Sequence, residues 1–241
     1  MAGTIRCRRA CIFAAATDGV VGSCGSVATA SRRGKASPIL AGLDAAHAPI
    51  RVERAAPARL PALAGVLGRA FADEPMIQWP LGGGAAAETI TQIFRLLYAG
   101  PAELGMLWEG GDGEGVAAWI APGETALLTA SDHAAAAQYE PLMPDGGVRY
   151  RALWDWVESF VPEDVWYLDA LAVDPARQRT GIGGALVRHG LGLAAANGAA
   201  AFLETSIASN IPYYERFGFA VIDQGDAPGG GPHVWFMRRE P

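Results

Sequence analysis

The sequence predicts an α/β fold in which a mixed, mostly antiparallel sheet of six to seven strands is flanked by helices. Three observations carry this. Half of the chain is apolar (51%), enough for a substantial core. Apolar residues recur with periods of 2 and 3.6 in interleaved segments, in the order β-α-α-β-β-α-β-α-β-α-β-β. Turn chemistry joins some strands directly, as hairpins, whereas a strand near 165–173 is followed by a helix before the next strand.

Each element has a local reason. "PIRVERA" (49–55) reads as a strand, and Pro57 suits the first turn of the helix that follows, where its missing N–H costs nothing. In that helix Leu60, Leu63, Leu67, Ala70 and Phe71 recur at helical spacing. "ADEPMIQWPLGGG" (72–84) reads as a broken loop, and 85–100 as a second helix with Ile90, Ile93, Phe94 and Leu97 on one face. Residues 103–123 form two strands around "GGDGEG". Residues 124–160 are alanine-rich and mostly helical, broken near "PLMPDGG". A strand over 164–173, a helix over 181–198 ended by Gly198 and a strand over 199–206 follow. A short helix in "SNIPYYERFG" and the strands "FAVID" and "HVWFMRR" close the chain.

Charge is unevenly spread. Of 19 basic and 25 acidic residues, the first fifty positions hold six basic and two acidic, leaving 13 and 23 in 51–241, where no lysine occurs. So acidic a body is a poor partner for nucleic acid or anionic membrane and a suitable host for a cationic small molecule. Cys7, Cys11 and Cys24 all lie in the first 24 residues, so the body has neither a disulfide framework nor a thiol nucleophile, and a cytoplasmic location is expected. Residues 1–48 read as a disordered extension preceding a single domain over 49–241. Their apolar run is too short for a membrane span, and a secretory leader is the weaker alternative.

"VDPARQRTGIGG" (173–184) concentrates glycine and arginine where a helix begins. Free N–H groups and the helix dipole make such an N-terminus an anion site. A dinucleotide fingerprint does not fit, because seven residues separate Val173 from Gly181 and Leu186 stands where the third small residue belongs. A Walker loop needs a lysine that is not there.

Two blocks carry a resemblance. Gln178, Gly181 and Gly183 fall on the fixed positions of the Gln/Arg-x-x-Gly-x-Gly/Ala motif of the GCN5-related N-acetyltransferase (GNAT) superfamily, and "NIPYYERFGF" (210–219) is similar to its second block. "FLETS", "AFADEP" (70–75) and the C-terminal Trp-x-Met-x-Arg resemble, more narrowly, the puromycin N-acetyltransferase group. The resemblance spans about 50–241, is strongest over 165–241 and is thin over 76–160.

The resemblance implies acetyl transfer from acetyl-CoA, as co-substrate, to the amine of a small molecule, an aminonucleoside antibiotic such as puromycin being one candidate. It implies a sheet splayed between the strands near 165–173 and 199–206, with pantetheine on the backbone of Leu171 and Val173. Gln178 and the turn Arg179, Thr180, Gly181, Ile182, Gly183 and Gly184 would hold the pyrophosphate, and Asn210 would touch pantetheine or cap its helix. Tyr214 takes the place of the acid. Glu204 is the first choice of base and Asp169 the second, although a strand-end glutamate is as often a solvated surface group. Asp73, Glu74 and Trp79 would border the acceptor, where carboxylates and an aromatic suit a cationic amine. His189, with Ile182, Leu186 and Leu193, reads as a core histidine. No metal site is expected; a monomer or homodimer is. A non-catalytic acyl-CoA sensor, an acetyltransferase of protein or peptide amines, and a dinucleotide-dependent oxidoreductase are the alternatives.

Overall fold

The computed structural model describes residues 14–15, 49–124 and 135–241. The readings made for the rest of 1–48, for the cysteines and for 125–134 with His133 lie outside the described residues.

Strands β2 (Val52–Arg54), β3 (Leu107–Gly110), β4 (Gly115–Ile120), β5 (Trp166–Val173), β6 (Ala201–Thr205), β7 (Ala220–Asp226) and β8 (His233–Arg239) form one sheet in the order β2-β3-β4-β5-β6-β8-β7. All neighbours are antiparallel except β5 and β6. A two-residue strand, β1 (Ala14–Ala15), pairs in parallel with β5 at Leu171 and Ala172. The mixed, mostly antiparallel sheet is the one the element order predicts.

Two helical layers cover the sheet. On one face lie α1 (Leu60–Ala70) and α3 (Ala87–Leu97), whose apolar stripes bury Leu63, Leu67, Ile90, Ile93, Phe94 and Leu97 in one cluster with Phe202 and Phe236. The two helices meet at Gly68, where a Cβ would stand 1.9 Å from Thr91 Oγ1. The helix α5 (Val148–Glu158) joins the same cluster through Leu153 and Trp154. On the other face α6 (Ile182–Ala196) and the short α7 (Ile211–Glu215) pack Ile182, Leu186, Val187 and Tyr214 against Trp119, Leu168 and Leu171. Gly198 follows α6 with φ +60°, the left-handed stop its sequence implies.

The broken loop expected over 72–84 contains one helical turn, α2 (Pro75–Gln78), with Pro75 at its first position and the Glu74 side chain accepting from Ile77 N at 2.9 Å. A further short helix, α4 (Ala99–Glu103), follows α3 directly.

Two irregularities in β5 shape the site. Strands β5 and β6 pair only at Trp166↔Ala201 and Tyr167↔Phe202, then part, although β5 runs to Val173 and β6 to Thr205. This is the expected splay. The register between β4 and β5 runs Trp119↔Leu168 and then Ala118↔Ala170, so Asp169 is an extra residue, a β-bulge.

Candidate active site

The bulge explains where Asp169 goes. Tyr167 and Ala170 join the cluster under α1 and α3, whereas Leu168 and Leu171 face α6. Asp169 is turned toward the first group, where Tyr98 at the C-terminus of α3 donates its hydroxyl to Oδ2 at 2.6 Å. Asp169 is 1% exposed.

Glu204 stands on β6, across the splay. It is 2% exposed, so the solvated-surface reading of a strand-end glutamate does not hold. Tyr167 donates its hydroxyl to Oε1 at 2.5 Å, while Oε2 has no hydrogen-bond partner among the described residues. Burial pushes the Glu204 carboxyl well above the usual range; the Tyr167 hydroxyl opposes this, and the nearby Asp169 and Glu74 charges add to it.

Glu74, ahead of α2, completes a third side. Its carboxylate accepts from Ser206 Oγ as well as from Ile77 N, and burial raises its pKa to about 7 against those stabilising bonds. Ser206 is brought there by the end of β6, where Thr205 Oγ1 accepts from Ile207 N and from Asn210 Nδ2, both at 3.2 Å. Asn210 holds the N-cap position of α7, but its side chain turns to Thr205 and makes no cap bond.

Tyr214 comes from α7 on the opposite face. Its ring packs edge-on against Tyr213 (5.2 Å) and Phe219 (5.9 Å). The hydroxyl is fully buried and has no hydrogen-bond partner among the described residues. Burial, then Tyr213 and the charge of Glu204, hold its pKa well above that of a free tyrosine, so it stays protonated. The charges of Glu74 and Asp169 thus reach Glu204, and that of Glu204 reaches Tyr214 from the other face of the sheet.

The other predicted acceptor residues fare differently. Asp73 is exposed, and Trp79 is half-buried with Arg149 over its ring at 5.8 Å. Tyr98, Tyr167 and Ser206 were not singled out from the sequence. Tyr98 is 71 residues from its partner, and no local pattern announces it.

The glycine-rich loop is pinned at its base. Asp174 takes an ion pair from Arg69 at 2.6 Å, and Arg177 is held by Glu114 at 2.8 Å, which withdraws Arg177 as a free cation. Arg179 (φ +64°) and Gly181 (φ +90°) are left-handed, and Thr180 Oγ1 donates to Arg177 O at 2.6 Å. No side chain caps α6, whose first intrahelical bond runs from Ala185 N to Gly181 O. The N–H groups of Ile182, Gly183 and Gly184 are therefore left for an anion. Gly184 is buried near Phe217, where a Cβ would stand 3.6 Å from the ring. The loop fits the pyrophosphate it was expected to hold; Gln178 beside it is half-buried. On β5, Leu171 and Val173 turn one backbone edge to β4; the other edge of the strand lies along the splay, and there Leu171 and Ala172 pair with β1. An extended backbone partner fits on that edge.

His189 is half-buried against Trp108 (4.1 Å between rings), and burial, then Arg54, lowers its pKa. It belongs to the packing of α6. Among the described residues, no group of three His, Cys, Asp or Glu is arranged to hold a metal ion, and no helix is long and apolar enough to cross a membrane.

Residues 126–219 match the model of the acetyltransferase (GNAT) family. The fold is similar to that of a Corynebacterium glutamicum protein described as histone acetyltransferase HPA2 and related acetyltransferase, at 22% identity and a TM-score of 0.55, covering 80% of this chain and 97% of that one. It is also similar to an agmatine N-acetyltransferase (14% identity, TM-score 0.57, 80% and 100% covered). A polyamine N-acetyltransferase of Drosophila melanogaster gives 13%, 0.52, 80% and 100%. At these identities the likeness is one of fold.

Proposed function

We propose that the chain is an acyl-CoA-dependent acetyltransferase of the GNAT superfamily and that it moves the acetyl group of acetyl-CoA to the amine of a small molecule by direct attack. The observation that carries this is that β5 and β6 part beside a buried carboxylate oxygen of Glu204, and that the buried hydroxyl of Tyr214 lies within the field of that group, neither atom having a hydrogen-bond partner among the described residues. Both are proton-handling groups held ready for a bound molecule.

In this reading the amine nitrogen attacks the thioester carbonyl and its proton passes to Glu204, whose raised proton affinity makes it a stronger base than a solvated carboxylate. Asp169 remains the second candidate. A backbone N–H near Leu171 stabilises the oxyanion, the kind of preorganised donor that is often the largest catalytic term. Collapse expels the CoA thiolate, and Tyr214 supplies its proton. Pantetheine takes the β5 edge at Leu171 and Val173 in place of β1, which pairs there with Leu171 and Ala172, with Asn210 nearby, and the pyrophosphate lies on the Arg179–Gly184 turn.

A small acceptor is supported by the narrow, buried setting of the carboxylates and by the fold neighbours named for agmatine and polyamine acetylation. The test is a free-thiol assay with acetyl-CoA over a panel of amines that includes puromycin, arylalkylamines, diamines and a lysine-rich peptide. Thiol release with a small amine supports the reading. CoA binding without release over the whole panel points instead to an acyl-CoA sensor.

A further inference from the structure

We infer that the acceptor is a short diamine, with its reacting amine at Glu204 and its second cation at Glu74, a reading that rests on the acetyltransferase assignment. Both carboxylates are 2% exposed, and Glu74 accepts from Ser206, which stands two residues beyond Glu204 at the end of the same strand. The donors that the described residues give them are neutral: Tyr167 and the Glu204 backbone N–H itself to Glu204, and Ser206, Met76 N and Ile77 N to Glu74. Residues 51–241 contain no lysine. A buried carboxyl keeps its proton unless a cation pairs with it, so these two ionise together only when two positive charges arrive from outside.

Two features direct those charges to a ligand. Among the described residues, Oε2 of Glu204 has no hydrogen-bond partner, and the buried Tyr214 hydroxyl, on a different element, has none either while lying within the field of Glu204. The described residues form no metal-ligand set, which favours an organic cation over a metal ion. A monoamine neutralises the carboxylate at the reacting end and leaves Glu74 without a cation. A diamine satisfies both. Glu74 then acts as a specificity residue, because a site built to pair a second polar group discriminates against an analogue lacking it.

The experiment compares 1,3-diaminopropane, putrescine and cadaverine with propylamine, butylamine and pentylamine in the full-length protein, by thiol release and by calorimetric binding. The inference predicts that at least one diamine exceeds its monoamine in kcat/KM by tenfold or more, and that E74Q brings that ratio close to one. Equal use of both series by the wild type, or a ratio preserved in E74Q, overturns it. Tighter calorimetric binding of a diamine without thiol release keeps the two-carboxylate site and refutes acetyl transfer. Thiol release with monoamines and diamines alike refutes the diamine site and keeps acetyl transfer. Should E74Q fail to fold, the wild-type ratio decides alone.

Discussion

Tyr167 on β5 donates its hydroxyl to Glu204 on β6 at 2.5 Å, at the last register pair before the two strands part. The bond ties the base candidate to the rigid end of the splay rather than to its open mouth. Removing it leaves neither oxygen of a buried carboxylate with a side-chain hydrogen-bond donor among the described residues, which raises the Glu204 pKa further. Tyr167→Phe is therefore expected to lower kcat about tenfold, within the usual range for a perturbed general base. The acid limb of the pH–rate profile moves to higher pH, and KM for acetyl-CoA stays nearly constant. A purely structural Tyr167 would lower stability without moving the profile.

Tyr214→Phe separates chemistry from packing. The ring contacts with Tyr213 and Phe219 survive the change, and the lost hydroxyl has no partner among the described residues, so stability should be unchanged or slightly higher. Turnover should fall roughly a hundredfold if the hydroxyl protonates the leaving thiolate. Chemical denaturation and thiol release on the same preparation check both. Unchanged turnover removes Tyr214 from the mechanism.

Gly190 lets α6 approach the sheet. A Cβ there would stand 1.9 Å from Cε2 of Trp119, which is 1% exposed and donates from Nε1 to Leu186 O at 3.3 Å. Helix propensity favours alanine by about 1 kcal/mol. The overlap with a rigid buried ring costs more, on the order of 1–3 kcal/mol or above. Gly190→Ala should lower the urea midpoint, at a net cost of up to ~2 kcal/mol in stability. It should also raise KM for acetyl-CoA, since the same helix begins at the pyrophosphate turn.

Stability should fall as pH rises through weak acidity. Burial raises the Glu74 pKa to about 7 in the folded protein, against 4.5 for a solvated glutamate. Between those values the native state holds a proton the unfolded chain has released, so the stabilisation present below pH 4.5 is lost by about pH 7. The shift corresponds to about 3 kcal/mol. Glu204, also raised, acts in the same direction. Urea midpoints at pH 5, 6, 7 and 8 should decline, and E74Q should flatten part of the slope. A flat or rising series contradicts the buried, cation-free state of these carboxylates.

Much of this molecule is legible before any coordinates. The element order gives seven strands and the principal described helices: the helices show apolar stripes, whereas β4, β5 and β6 are buried on both faces and read as short apolar runs. "GGDGEG" places the β3–β4 hairpin, and the glycine-rich loop is found at the start of α6. Shorter features escape for physical reasons. One turn of helix at Pro75–Gln78 is too brief to show a period, and its cap is a glutamate rather than a residue that usually caps. The bulge at Asp169 leaves no mark in "WYLDALAV", since a strand buried on both faces reads as one apolar run. Nothing in the sequence singles out Tyr98 and Tyr167; only the register and the close of α3 show that their hydroxyls hold the two carboxylates. The ion pair of Arg177 with Glu114 likewise depends on a contact 63 residues away.

The central claim is that the splay delivers acetyl-CoA to an amine beside Glu204 and Tyr214. The most direct measurement is release of free CoA thiol from acetyl-CoA, with and without putrescine, followed by mass analysis of the amine. The account predicts stoichiometric thiol and a product heavier by one acetyl group, with both strongly reduced in Tyr214→Phe. Tight binding of acetyl-CoA with no amine-dependent thiol release over the whole amine panel would contradict it.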